Sequence, residues 1–61
     1  MLRERLQTRL RELLKHKAVT SAISPAEIAG IEDALPHLTI IELLVLISAI
    51  LAMIVEWFKN N

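Results

Sequence analysis

The sequence contains no cysteine and no tyrosine, and glycine, tryptophan and phenylalanine each occur once in 61 residues. Without cysteine, neither a disulfide nor a thiolate-ligated zinc ion can stabilise so short a chain. A single glycine excludes a glycine-rich phosphate-binding loop, and no metalloprotease or serine-hydrolase motif occurs. The sequence therefore predicts a protein that is not an enzyme and that holds no cofactor and no metal ion.

The chain also lacks an excess of charge of one sign, because seven basic and seven acidic side chains cancel. The charges are nevertheless unevenly distributed. Residues 1–17 contain six Lys or Arg and two Glu, whereas residues 18–61 contain one Lys and five acidic residues. This asymmetry predicts that the N-terminal segment contacts an anionic membrane surface, an acidic protein or nucleic acid. Nucleic acid is the weakest of the three, because the segment has no aromatic residue on which a base could stack.

Residues 38–59 form one long apolar run, LTIIELLVLISAILAMIVEWFK. Thr39 and Glu42 have the spacing of a capping box, which predicts a helix start at Ile40, and neither Gly nor Pro interrupts the run. A helix over residues 40–58 would be about 28 Å long, which matches the hydrocarbon core of a bilayer. Its Leu, Ile, Val and Phe side chains together favour insertion by roughly 4 to 7 kcal/mol. The run therefore predicts a transmembrane helix.

One side of this predicted helix carries small and polar residues, which we call the partner stripe. Its members are spaced alternately by three and four positions and so share one helix face: Glu42, Val45, Ala49, Ala52 and Glu56. Small side chains let helices approach closely in lipid. We therefore expect the partner stripe to bind a larger complex or a second copy of the chain. Tolerance of alanine within an apolar helix would give the same pattern without any partner.

The first 17 residues predict a basic amphipathic helix of about four turns. Leucines recur along one face, at positions 2, 6, 10, 13 and 14. Basic side chains on the rest of this helix are predicted to lie at a membrane surface: Arg5, Arg9, Arg11 and Lys15. Trp57 and Lys59, which end the apolar run, are predicted to anchor it at the same kind of surface. A helix packed on the protein's own core, with a solvated charged face, would show the same pattern.

A short acidic helix is predicted between these two segments. Ser24 and Glu27 form a second capping box, and Pro36 ends the predicted helix, which covers about residues 25–35. Residues 18–23 are weakly patterned and predict a loop or a frayed helix end. The acidic side chains of the short helix, Glu27, Glu32 and Asp33, could pair with the arginines of the first helix.

Together these elements predict one small all-α unit. It consists of a basic arm (1–17), a linker with a short helix (18–37) and an apolar helix (38–59). We expect a single-pass membrane protein that contacts lipid, has its N-terminus in the cytoplasm and acts as a structural or regulatory accessory subunit. Two alternatives remain. One is a cytoplasmic dimerisation or adaptor module whose apolar helix is buried in an oligomer. The other is a membrane-permeabilising peptide or holin, which leakage of dye from vesicles would reveal.

Overall fold

The computed structural model describes residues 1–60, which form four α-helices. In chain order these are α1 (Leu2–Leu14), α2 (Lys17–Ala22), α3 (Pro25–Ala34) and α4 (Ile40–Asn60), with a 3-10 turn (Leu35–His37) between α3 and α4. No strand occurs in this part of the chain. The all-α prediction, with a long apolar helix at the C-terminal end, is confirmed.

The break between α1 and α2 lies at a residue that the sequence pattern does not mark. α1 ends at Leu14 rather than near residue 17, and most of residues 18–23 are helical rather than looped. His16 accounts for both differences. Its backbone is extended, with φ −65° and ψ 144°, and its Nδ1 accepts a hydrogen bond of 3.0 Å from the Ala18 N–H, which caps α2. Histidine is not among the preferred N-cap residues, so the pattern did not predict this corner.

The two predicted capping boxes are both formed. In α4, the Glu42 N–H donates to Thr39 Oγ1 at 3.1 Å, and the Thr39 N–H donates to Glu42 Oε1 at 2.9 Å. In α3, Ser24 and Glu27 exchange the equivalent bonds, each of 3.3 Å. These bonds satisfy N–H groups that the first helical turn leaves without a partner. Both helices therefore begin where their sequences predict, although α4 continues to Asn60, two residues beyond its predicted end.

Replacing Thr39 with alanine should lower the free energy of unfolding by about 1 kcal/mol, because one side of the α4 capping box is lost. Urea denaturation followed by circular dichroism measures the change. Thr39→Ser keeps the hydroxyl and should retain most of the stability. Thr8→Ala, at an exposed position in α1, is the matched control. An equal loss in Thr8→Ala would mean that the cap is not the cause.

α1 lies parallel to α4 along most of its length, and α3 runs in the opposite direction. At one end, Arg3 Nη1 donates a hydrogen bond to the Leu38 carbonyl. At the other end, the rings of His16 and Trp57 are 5.7 Å apart. α2 packs on the C-terminal half of α4, and α3 leads the chain back to the start of α4. The result is an up-down-up bundle in which α2 forms one corner.

The core of the bundle is small and lies on one side of α4. It is formed by fully or almost fully buried side chains from α1, α2, the 3-10 turn and α4: Leu10, Leu14, Val19, Leu35, Leu43 and Ile50. Burying a leucine or isoleucine contributes about 1.5 to 3 kcal/mol. Half-buried leucines and isoleucines pack around this cluster. The stability of the bundle therefore depends on a few side chains, and α4 contributes to the core through only one face.

Candidate functional site

The side of α4 that faces away from the core is exposed and apolar. Of the described residues in this helix, only Leu43 and Ile50 are buried. On the opposite side, Ile41 is 73% exposed, Val45 61% and Phe58 63%. We call this surface the outer face of α4; it comprises Ile41, Leu44, Val45, Ser48, Leu51, Ala52, Val55 and Phe58, all exposed. Soluble monomers rarely expose so continuous an apolar surface, so the outer face is a candidate binding site for protein or lipid.

The outer face follows a seven-residue repeat. Its central line consists of residues spaced alternately by four and three positions: Ile41, Val45, Ser48, Ala52 and Val55. Leu44, Leu51 and Phe58 flank one side of this line, and Glu42, Ala49 and Glu56 flank the other. This spacing is that of a coiled-coil seam, in which one line of side chains inserts between those of a second helix. The geometry therefore suits another helix laid along α4.

The predicted partner stripe overlaps the outer face. Val45 and Ala52 lie on its central line, and Glu42, Ala49 and Glu56 form one edge. All five side chains are exposed, so the rest of the described chain does not cover them. Binding of a partner to the stripe stays a prediction. The sequence pattern missed the other members of the outer face, because a run that is apolar on every side gives no contrast between its faces.

Charged side chains lie at both ends of the outer face. Glu42 occupies the first turn of α4, and Lys59 occupies the last turn with its Nζ 4.0 Å from Glu56 Oε1. An acid at the start of a helix and a base at its end both interact favourably with the helix dipole. Lys59 and Glu56 are about two-thirds exposed, at 68% and 67%, and such a pair adds little to stability. These charges can therefore contribute to recognition by a partner.

The basic side chains predicted to contact lipid lie on the solvent side of α1. Arg5, Arg9, Arg11 and Lys15 are all exposed. Within residues 1–60, the one ion pair is that between Lys59 and Glu56. The expected pairing between the acids of the short helix and the arginines of α1 is therefore not formed. The basic face of α1 is left open to an anionic surface.

Trp57, a predicted interfacial anchor, is half-buried against the corner between α1 and α2. Its ring meets those of His16 and Phe58 edge-on, with centroids 5.7 and 5.3 Å apart. The ring of His16 also lies 5.9 Å from that of Phe58, and its two contacts attach the C-terminal end of α4 to the corner. Lys59, the other predicted anchor at this end, is exposed. The two residues thus have different surroundings, although they are only two positions apart in the sequence.

A shallow groove of about 420 Å³ adjoins the outer face between α2 and α4. It is lined mainly by small and apolar side chains, among them Ala18, Ala22, Ala49, Ala52 and Met53. Within residues 1–60, no group of three or more His, Asp or Glu side chains is placed to hold a metal ion. The groove therefore offers shape and apolar contact and few polar groups that could orient a ligand. It extends the outer face as a surface for packing.

α4 is long and apolar enough to cross a bilayer. Its 21 residues span about 31 Å. In the bundle, however, α1 lies beside α4 with exposed charges such as Arg5 and Arg9 on its solvent side. An arginine or lysine at the centre of a bilayer costs about 2.5 to 3.5 kcal/mol. The exposed charges of α1 therefore oppose entry of the intact bundle into the hydrocarbon.

No protein-family model matches the sequence, and comparison with curated proteins and with solved structures found no match.

Proposed function

We propose that the protein is a small membrane-anchored accessory subunit in which α4 crosses the bilayer once. The observation that supports this proposal is the poor coverage of α4 by its own chain, which buries only Leu43 and Ile50. Apolar surface left in water costs about 25 cal/mol per Å². Lipid would cover the outer face and the rest of the helix at once, and the helix has the required length.

In the membrane-bound state, α1 would lie on the membrane surface. Leu10 and Leu14, which are buried in the protein core, would instead pack among acyl chains and so remain buried. Departure of α1 breaks two hydrogen bonds, one from Arg3 to the Leu38 carbonyl and one of 3.1 Å from Gln7 to the Leu35 carbonyl. Together the two bonds contribute about 1 to 3 kcal/mol, which is less than the roughly 4 to 7 kcal/mol that favours insertion of α4. Lipid favours the open arrangement provided that acyl chains also replace the burial that the core side chains lose on opening.

The connection between α3 and α4 allows this opening without unfolding α4. After the 3-10 turn, Leu38 is extended, with φ −82° and ψ 143°, and Thr39 precedes the first residue of α4. The Thr39 capping box keeps the α4 start intact whichever way the preceding residues turn. Rotation at Leu38, which lies outside the capping box, would place α1 to α3 on the surface while α4 enters the bilayer.

The basic arm gives the anchor an orientation. Six of the seven Lys and Arg residues lie within residues 1–17. Such residues favour the cytoplasmic side and attract anionic lipid headgroups, so we place the N-terminus in the cytoplasm. Arg5, Arg9, Arg11 and Lys15 would contact phosphates there. The role is structural or regulatory, and the partner stripe would dock on a larger membrane complex, with Ala49 and Ala52 permitting close approach.

Fractionation of cells expressing the untagged chain tests the membrane anchor. The protein is expected to sediment with membranes, to resist a wash with alkaline carbonate and to be released by detergent. Release by carbonate alone would mean that the protein lies on the surface without crossing. Recovery in the cytosolic fraction, as a particle with the mass of a dimer or larger, would contradict the anchor.

A second candidate is a soluble dimerisation or adaptor module. The position of α1 favours it, because α1 covers α4 with leucines and directs its charges to solvent, as a water-soluble bundle requires. This function needs another protein surface over the outer face. The same fractionation distinguishes the two candidates, since only the soluble module remains in the cytosol.

A further inference from the structure

We propose that, outside the lipid, a second copy of the chain covers the outer face of the bundle, with the two α4 helices antiparallel. The proposal concerns the compact state, in which α1 stays on α4, and goes beyond the membrane anchor. Ile41, Val45 and Val55 are more than half exposed in a single copy, so this state leaves a large apolar surface in water. The bundle therefore requires a cover whenever no membrane is present.

The residues on the central line of the outer face are similar in size on either side of its midpoint, so two antiparallel copies can pair along it. A two-fold axis between Ser48 and Ala52 would place Ser48 against the partner's Ala52. The same axis would place Val45 against the partner's Val55. Small side chains thus meet at the centre, where they let the helices approach, and β-branched side chains meet on either side. One surface is therefore complementary to a second copy of itself, as a two-fold interface requires.

The apolar flank favours the antiparallel direction. In an antiparallel pair, residues of one flank meet the same flank of the other helix. Leu44 would then contact the partner's Phe58, and Leu51 would contact the partner's Leu51. In a parallel pair, the apolar flank of one helix would meet the partner's other flank, which contains Glu42, Ala49 and Glu56. Leu51 would then lie beside the partner's Glu56. The antiparallel pair thus buries apolar side chains against each other, whereas the parallel pair opposes leucine and carboxylate.

The charges at the ends of α4 favour the same direction. In an antiparallel pair, Lys59 would lie between Glu56 of its own chain and the partner's Glu42. Because the same flanks meet, these two acids face each other, and Lys59 beside them offsets their repulsion at each end of the interface. In a parallel pair, Lys59 would meet the partner's Lys59 on the central line, which places like charges together. The opposed helix dipoles add to this preference, since each N-terminus lies beside a C-terminus.

Cysteine cross-linking tests the pairing and its direction, because the chain has no native cysteine. Ser48→Cys and Ala52→Cys chains are mixed in detergent-free buffer under mild oxidation. The mixture should form mainly the disulfide between position 48 of one chain and position 52 of the other. Ser48→Cys alone should cross-link at least several-fold less. Ser21→Cys, exposed on α2, should give only background. A monomer, an aggregate without a discrete dimer, or preferential cross-linking of Ser48→Cys to itself would overturn the proposal.

Charge variants provide a second test that leaves the small and β-branched side chains of the central line unchanged. Lys59→Glu should raise the dissociation constant of the dimer about tenfold, which corresponds to about 1.4 kcal/mol, because three acids would then meet at each end. Adding Glu42→Gln should recover part of this loss, since glutamine preserves the capping box and removes one acid. Lys15→Glu, on the solvent side of α1, should have no effect. Equal dimerisation of all four proteins in sedimentation equilibrium would overturn the antiparallel pairing.

These experiments separate the pairing from the membrane anchor. Cross-linking and sedimentation use the chain in buffer, whereas the carbonate wash uses cell membranes. A carbonate-resistant protein that stays monomeric in buffer would contradict the pairing alone. A cytosolic protein that forms the cross-linked dimer would contradict the anchor alone.

Discussion

Replacing Ser48 with arginine is expected to lower the partition of the protein into lipid vesicles about 100-fold. Ser48 lies at the middle of the proposed span, residues 40–58, where an arginine costs about 2.5 to 3.5 kcal/mol, and each 1.4 kcal/mol changes an equilibrium about tenfold. In the compact bundle the Ser48 side chain is exposed, so the arginine would extend into water and leave the fold intact. Vesicle flotation measures the partition, and circular dichroism in buffer measures the fold.

Ser21→Arg is the matched control for this variant. It introduces the same side chain at an exposed serine of α2, outside the proposed span, and should float with vesicles at least as well as the unmodified chain. If Ser48→Arg floats as well as Ser21→Arg, α4 does not cross the bilayer and α1 alone accounts for binding. The assay is run at protein concentrations below the dissociation constant of any dimer, because Ser48 also lies at the centre of the proposed pairing.

Replacing Leu10 with alanine is expected to remove most of the stability of the bundle in water. Leu10 is fully buried at the contact between α1 and the core, and such a substitution costs about 2 to 5 kcal/mol. A domain of 61 residues has a total stability of only about 3 to 9 kcal/mol. Urea denaturation should therefore show a strongly shifted or absent transition. Vesicle binding should fall by much less than the stability, because the membrane-bound state does not use the contact between α1 and α4 and loses only the burial of one leucine side chain among acyl chains.

Leu2→Ala provides the comparison within the same helix. Leu2 is 58% exposed, and its removal should change the free energy of unfolding by no more than about 0.5 kcal/mol. Equal effects of the two leucine variants in urea would mean that α1 does not dock on α4 in solution. A loss of vesicle binding as large as the loss of stability in Leu10→Ala would mean that the compact bundle itself, and not an opened form, binds lipid.

Features that depend on a few adjacent residues could be predicted from the sequence. The starts of α3 and α4 are fixed by hydrogen bonds between residues three positions apart, Ser24 with Glu27 and Thr39 with Glu42. Pro36 ends α3 because it has no N–H to donate. The length and apolar character of α4 follow directly from composition. Each of these properties depends on residues that are close in the sequence, and so each can be predicted from the sequence.

Features that depend on which surfaces meet could not be predicted in the same way. His16 breaks α1 because its ring nitrogen caps α2, a bond that residue preferences do not anticipate. The parallel docking of α1 on α4 relies on contacts between distant positions, such as Arg3 with Leu38. The outer face was only partly predicted through Val45 and Ala52, because nearly every side of residues 40–58 is apolar. Only the packing of α1 and α2 decides which of those sides remains exposed.

The order of the helices along the chain has a consequence for biosynthesis. The ribosome makes α1, α2 and α3 before it makes α4, so the surfaces that cover the core side of α4 exist before that helix emerges. During translation, α1, α2 and α3 can thus cover the core side of α4 as this apolar helix emerges from the ribosome. The outer face receives no such protection from the chain, and it is the side that a targeting factor, a bilayer or a second nascent chain would meet first.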